Sequence, residues 1–280
     1  MSSIKINGSG SGGLRITGAG SAVVKIAPPA GGFDPGSLAG LVSWYKADAI
    51  LGVANGGDVD SWLDSSTTGY TLTKASSGAA SPIYSAADAL LGGQPSVQFV
   101  RASGSALRYN ITNSGSPLPM GNDPRTMYAV GYMTNPSAGA YQSAFGYGTN
   151  SNYTRFQLFQ YSSGTGLLSM EFGSLASGGG IVSANTSFIA AFPYATNTQS
   201  CPFYLNGVSY PSTDPYANVL RTGEDGGGFS QIIIGSLAGV DPISEWGGAI
   251  AETLIYNTAH DGATRVLVQN YLATKYGISI

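Results

Sequence analysis

The chain has 280 residues, of which 42 % are hydrophobic, only 10 % are charged and 41 are glycine. Helical proteins keep charge on their wet faces and avoid glycine, and charge-driven disordered chains lack this much apolar material, so both classes are excluded. Twelve basic against fifteen acidic residues give a formal charge of −3, and the single cysteine is Cys201. That leaves no basic field for nucleic acid, no intrachain disulfide and no cysteine-based zinc site.

The length fits one main domain with an appendage. Residues 1–27 form that appendage and repeat internally. Ile4-Lys5-Ile6 followed by Asn-Gly recurs as Leu14-Arg15-Ile16 followed by Thr-Gly, and Val24-Lys25-Ile26 opens a third copy. Apolar–basic–apolar alternation is the period of a strand with one apolar edge, and the glycines permit a reversal. Three-residue strands do not hold themselves, since even a whole hairpin is marginal in water. Two readings stay open: a Gly/Ser arm that frays, or a docking segment that orders by strand addition on a partner. Residues 28–35, with Pro28-Pro29-Ala30-Gly31-Gly32, read as a linker to a domain over 36–280. The N-terminus lacks the apolar core of a secretory signal, and no stretch reaches the ~18 apolar residues of a membrane helix. Release by cell lysis and no membrane insertion are therefore expected.

In the main domain, strands are predicted over 41–48, 59–64, 96–100, 126–132, 143–147, 155–161, 167–172, 188–192, 202–206, 231–235, 248–251 and 252–256. Many short strands separated by Gly, Pro, Asn and Ser indicate a sandwich or barrel. Asn206-Gly207 suits a two-residue hairpin turn, because both residues accept positive φ. Only the C-terminus reads as helical. Asp261 is its N-cap, Ala263, Leu267, Val268, Tyr271 and Leu272 form an apolar stripe, Lys275 complements the dipole in the last turn, and Gly277 ends it.

A resemblance now becomes specific. Gly40-Leu41-Val42-Ser43-Trp44-Tyr45-Lys46-Ala47-Asp48 with Val59-Asp60-Ser61-Trp62-Leu63-Asp64-Ser65-Ser66 resembles the opening of concanavalin A-like, laminin-G-like domains. Phe203-Tyr204-Leu205-Asn206-Gly207, then Gly235 with Gly248-Ala249-Ile250-Ala251-Glu252-Thr253-Leu254-Ile255-Tyr256, and finally Asn270-Tyr271-Leu272-Ala273-Thr274-Lys275-Tyr276-Gly277, are similar to the hairpin, the closing strand and the helix of that family. The resemblance spans roughly 36–278 in order. It implies an all-β, two-sheet antiparallel jelly-roll sandwich with one C-terminal α-helix. This fold hosts lectins, glycanases, adhesion modules and virion appendages, so it does not decide function. The variant with the C-terminal helix is common among bacteriophage structural proteins.

Catalysis fails on inventory. Glycanases of this resemblance carry two closely spaced Glu on one strand, and acid–base cleavage of a glycoside requires two carboxylates flanking the bond. Here the Glu residues are Glu171, Glu224, Glu245 and Glu252, none within four of another. The lone His260 has no nucleophile beside it in sequence and reads as a residue of the turn before the helix. Asp60 and Asp64 flank Trp62, but the several oxygen ligands of a calcium loop are missing, so turn capping is their expected role. Glu252 reads as a structural hydrogen-bonding group. No cofactor and no metal are expected. The Tyr-rich stretch with Tyr141, Tyr147, Tyr153 and Tyr161 offers rings suited to a sugar or a protein, or else simply covers a sheet.

The function expected from these readings is that of a non-enzymatic phage virion protein, a capsid decoration or head-fibre protein. It would be held to the major capsid protein or another virion protein through the N-terminal arm and would display the sandwich at the virion surface, with a homotrimer as the expected assembly. The alternatives are a tail-fibre or baseplate component, or a lectin-like carbohydrate-binding module that takes host or environmental glycans through the tyrosines.

Overall fold

A computed structural model describes residues 32–75, 80–101, 103, 105–111, 117–136, 141–149, 151–160, 166–171, 176–214, 217–222, 230–237 and 244–280. Gly32–Ile280 form one compact unit. It begins before the expected boundary at 36: Phe33 packs edge-on against Tyr271 and the Pro35 carbonyl accepts the Tyr256 hydroxyl at 3.0 Å. The nine arm residues singled out above lie outside the described residues.

The strands are β1 (Leu41–Lys46), β2 (Ser61–Leu63), β3 (Thr71–Lys74), β4 (Ile83–Asp88), β5 (Gln94–Phe99), β6 (Leu107–Ile111), β7 (Arg125–Met133), β8 (Gln142–Gly148), β9 (Arg155–Gln160), β10 (Leu167–Glu171), β11 (Ala176–Ile181), β12 (Phe188–Tyr194), β13 (Phe203–Leu205), β14 (Val208–Tyr210), β15 (Ser230–Ile234) and β16 (Gly248–Tyr256), followed by helix α1 (Gly262–Tyr276). They build two antiparallel sheets. One runs β14-β13-β12-β7-β16-β5-β4, with β1 also beside β16; the other runs β11-β10-β9-β8-β15-β6-β3-β2. The result is the jelly-roll-like sandwich expected, with a single C-terminal helix.

The chain adds a third layer that alternation alone does not announce. Along β7, Met127, Ala129 and Met133 face the core between the sheets, while Tyr128, Val130 and Tyr132 face the other way into a second core. That second core is closed by Val268, Leu272 and Tyr276 of α1. A strand covered on both faces is apolar throughout, which is why β7 reads as an almost unbroken apolar run. The helix starts and stops as predicted: the Thr264 amide donates to Asp261 Oδ1 at 2.7 Å, and Gly277 adopts φ 66°. Its buried side differs from the predicted stripe, because Leu267 is 47 % exposed and Ala263 also faces solvent. Among the described residues no helix is long and apolar enough to cross a membrane.

β16 was expected as two pieces. It is one strand with a bulge between Ile250 and Glu252 against β7. The extra residue re-aims the chain, so that Ala251 and Leu254 face the helix side and Glu252 reaches helix residues as well. The Asn206-Gly207 turn has φ 48° and 78° and joins β13 to β14 as predicted.

Candidate functional site

At one end of the first sheet, the close of β5, the close of β7 and the start of β16 lie side by side. Ala249 pairs with Gln98 on one side and Tyr132 on the other, and Gly248 pairs with Phe99 and Met133. Small residues on the middle strand between larger ones on its neighbours make a trough. Gly248 must be glycine here, since a Cβ would stand 2.0 Å from the Tyr132 carbonyl oxygen. The trough has a volume of about 370 Å³ and is lined by Gln98, Phe99, Val100, Arg101, Tyr132 and Thr134 above Gly247 and Gly248. Burial first, and then Asp88, push the Tyr132 phenol up to about 12, so it stays protonated as a donor and acceptor. Asp88 is itself fixed, accepting from the Leu90 amide at 3.0 Å and the Ser96 hydroxyl at 2.7 Å.

The rim is latched to the second sheet. Gln142 accepts the Gly247 amide at 2.9 Å through Oε1 and donates to the Asn135 carbonyl at 2.9 Å through Nε2. The Thr134 hydroxyl donates to the Gly247 carbonyl at 3.0 Å. The residue before this latch is Tyr141, 43 % exposed, whose ring stacks on Phe159 with centroids 5.3 Å apart and planes at 28°. An exposed aromatic face on the second sheet and a mainly apolar trough edged by Gln98, Tyr132 and Thr134 on the first therefore share one end of the sandwich. Arrangements of this kind hold polyols, whose C–H faces lie on rings while their hydroxyls exchange hydrogen bonds with amide, phenol and alcohol groups.

Of the four tyrosines expected at a contact surface, only Tyr141 is placed as an exposed platform. Tyr147 is a correction: it is fully buried, and its hydroxyl accepts from Arg125 Nη1 at 2.7 Å and donates to the Pro119 carbonyl at 3.0 Å. Its strand position faces the core, where it helps to satisfy a fully buried guanidinium ringed by Tyr147, Phe156 and Tyr194. Tyr153 is half-buried at φ 65° and packs against the inter-sheet core. Tyr161 lies outside the described residues. Sequence reasoning missed Gln98, Tyr132 and Thr134, because Gln98 on β5 meets the neighbouring pair Tyr132 and Thr134 only through strand order.

The other singled-out residues hold structure. Glu252 is fully buried and accepts from Trp44 Nε1 (2.6 Å), Lys275 Nζ (2.7 Å), Tyr276 Oη (2.8 Å) and Tyr271 Oη (3.2 Å). Lys275 also meets Asp48 at 3.0 Å. Lys275 thus does more than complement the helix dipole: it is half of a buried clip fastening α1 to the sheet. Asp64 accepts from the Trp44 and Ser66 amides at 2.8 and 2.7 Å, and Asp60 accepts the Ser81 hydroxyl at 2.6 Å. Their oxygens are turned to protein donors. Among the described residues no group of three His, Cys, Asp or Glu side chains is gathered that would hold a metal. His260 Nδ1 meets the Tyr128 hydroxyl at 2.8 Å, and burial pulls its pKa down to about 4, leaving it neutral. Cys201 is buried and points its thiol at the Pro193 carbonyl.

Neither a protein-family model nor a curated protein sequence matches the chain. Solved structures do resemble it in fold. Trypanosoma rangeli sialidase superposes with a TM-score of 0.53 at 14 % identity, over 88 % of this chain and 36 % of the sialidase. Domain 4 of AbnA, an extracellular arabinanase from Geobacillus stearothermophilus, gives 0.50 at 15 % identity over 84 % of this chain and 98 % of that domain. A family-54 α-L-arabinofuranosidase gives 0.52 at 18 % identity over 78 % of this chain and 51 % of its own. The chain spans about a third of the length of the sialidases it matches. At these identities the likeness establishes the sandwich fold.

Proposed function

We propose that residues 32–280 are a non-catalytic carbohydrate-binding sandwich whose ligand lies in the Gln98–Tyr132–Thr134 trough and reaches the Tyr141 platform. The observation that carries this reading is the shared end: a mainly apolar trough edged by the polar groups of Gln98, Tyr132 and Thr134, and an exposed stacked tyrosine, joined through the Gln142 latch. The fold likeness supports it, because the arabinanase domain was solved with arabinotriose and the sialidase with sialic acid. A binding rather than cleaving role is supported by Glu252, whose carboxylate is consumed by four protein donors and faces the helix rather than the trough. The test is a glycan array probed with the whole chain. Binding that falls at least about tenfold in Tyr141→Ala and in Gln98→Ala, a loss of about 1.4 kcal/mol or more, is the expected result. Array-wide silence, or binding indifferent to both changes, refutes it.

A second reading concerns where the module sits. The ten-residue repeat of Ile4-Lys5-Ile6, Leu14-Arg15-Ile16 and Val24-Lys25-Ile26 supports an anchoring arm completed by neighbouring subunits. The sandwich would then be displayed on a virion, as a capsid decoration, head-fibre or tail-fibre protein, with a trimer as the simplest assembly. Deleting residues 1–27 should leave glycan binding intact and abolish incorporation into particles. Normal incorporation of the truncated chain would refute the anchor.

A further inference from the structure

The opening motif of the domain, Trp44 with Asp64-Ser65-Ser66-Thr67, is not used by the trough. Trp44 stands beside Leu41, which pairs with Tyr256 at the close of β16, whereas the trough lies at the start of that strand. Around it is a separate cavity of about 370 Å³ lined by Gly36, Leu38, Gly40, Leu41, Trp44, Ser65, Ser66 and Thr67. The geometry points to a second sugar subsite there, for a neutral saccharide unit, independent of the trough.

Three features argue for it. None of the lining side chains is charged, and the two charges against the lining are of opposite sign, Lys46 Nζ 4.0 Å from the Trp44 ring centroid and Asp34 Oδ1 accepting the Gly36 amide at 2.9 Å, so a neutral polyol suits the cavity better than an ion that would lose its hydration there. One wall is apolar (Trp44, Leu38 and Leu41) and the other is a run of three consecutive hydroxyl residues, which matches the two-sided chemistry of a sugar ring. The hydroxyl wall is also fixed in advance. Asp64 Oδ1 accepts the Trp44 and Ser66 amides at 2.8 and 2.7 Å, the Ser65 amide donates to the Trp44 carbonyl at 2.7 Å, and the Ser66 and Thr68 hydroxyls meet at 3.1 Å. A wall ordered before binding costs little to order on binding. The inference borrows only its ligand class from the glycan-binding reading, and its test separates the two.

The three tryptophans give three indole N–H signals in a ¹H–¹⁵N spectrum. Trp62 and Trp246 are fully buried, so they serve as internal controls for the fold, while Trp44 lines the cavity. Arabinotriose, maltotriose and xylotriose are each added to the whole chain up to about 20 mM, well above a 1 mM dissociation constant. The expected result is a saturable shift of the Trp44 signal with at least one of them. The apparent affinity falls at least about tenfold in Thr67→Arg, which places a long side chain at an exposed rim position, and holds within about twofold in Tyr141→Ala. No Trp44 shift with any of the three, a shift that persists in Thr67→Arg with the Trp62 and Trp246 signals unmoved, or a shift lost equally in Tyr141→Ala would each overturn the second subsite.

Discussion

The Glu252 clip yields the most quantitative prediction. Glu252→Gln keeps the side-chain shape but replaces one accepting oxygen by a donor, so some of the four groups now aimed at the carboxylate lose their acceptor. Removing one partner of a buried ion pair costs about 3–5 kcal/mol. Lys275 retains Asp48 at 3.0 Å and 15 % side-chain exposure, which places the expected cost at the lower end, about 3 kcal/mol. In a chain of this size that lowers Tm by about 6–12 °C. Lys275→Met should cost a similar amount, because Glu252 is then left buried without its cation. The double variant should cost about 1–2 kcal/mol less than the sum, since the second change removes a partner already orphaned by the first. Urea unfolding followed by circular dichroism, with m unchanged across the series, reads these values. A single-variant cost below about 1 kcal/mol, or strict additivity, would refute the clip as the fastening of α1.

Three further outcomes follow from other buried groups. His260 refuses a proton until about pH 4 in the fold, against 6.5 for its ordinary value, so the unfolded chain binds more protons between those limits. Stability should therefore fall as pH drops from 6.5 toward 4 and level off below, by at most about 3 kcal/mol from this group, and the difference between wild type and His260→Asn across that window checks it. Tyr147→Phe orphans a buried Arg125 N–H and should cost about 2 kcal/mol in urea unfolding while leaving glycan affinity unchanged. Asp64→Ala leaves the Trp44 and Ser66 amides without their acceptor and should lower stability by about 2–3 kcal/mol, whereas added calcium should move the wild-type Tm by less than about 1 °C because the carboxylate is already used by protein donors.

The sandwich was legible where strands alternate or run apolar, as in β7, β9, β12, β15 and β16, and the helix was legible from Asp261, Lys275 and Gly277. The missed strands have specific causes. β3 (Thr-Leu-Thr-Lys) is only four residues long and β4 (Ile-Tyr-Ser-Ala-Ala-Asp) has little apolar contrast to reveal a period, whereas β6 (Leu-Arg-Tyr-Asn-Ile) does alternate and was overlooked in spite of it. β11 contains Gly178-Gly179-Gly180, which reads as a breaker, yet a Cβ on Gly179 would meet the Leu168 carbonyl at 2.4 Å and one on Gly180 would meet Leu205 at 2.5 Å. Close packing demands glycine there. The bulge at Ile250/Glu252 shifts the alternation phase, so one strand looked like two. The candidate site was the least legible part. Tyr141 and Tyr147 are indistinguishable by composition, and only the inward direction of β8 at Tyr147 separates a core residue from a surface platform. Gln98, Tyr132 and Thr134 carry no local signal, since the trough exists only because β5, β16 and β7 are neighbours.

The central claim is that the trough binds sugar without cleaving it, and one titration tests it most directly. The whole chain and Thr134→Arg, which plugs the trough from an exposed rim position, are titrated calorimetrically with the strongest ligand from the array, and the recovered sugar is assayed for new reducing ends. The account predicts saturable heat for the wild type, at least about tenfold weaker binding for Thr134→Arg, and an intact saccharide. Equal affinity of the two proteins, or shortened saccharide after incubation, would contradict it.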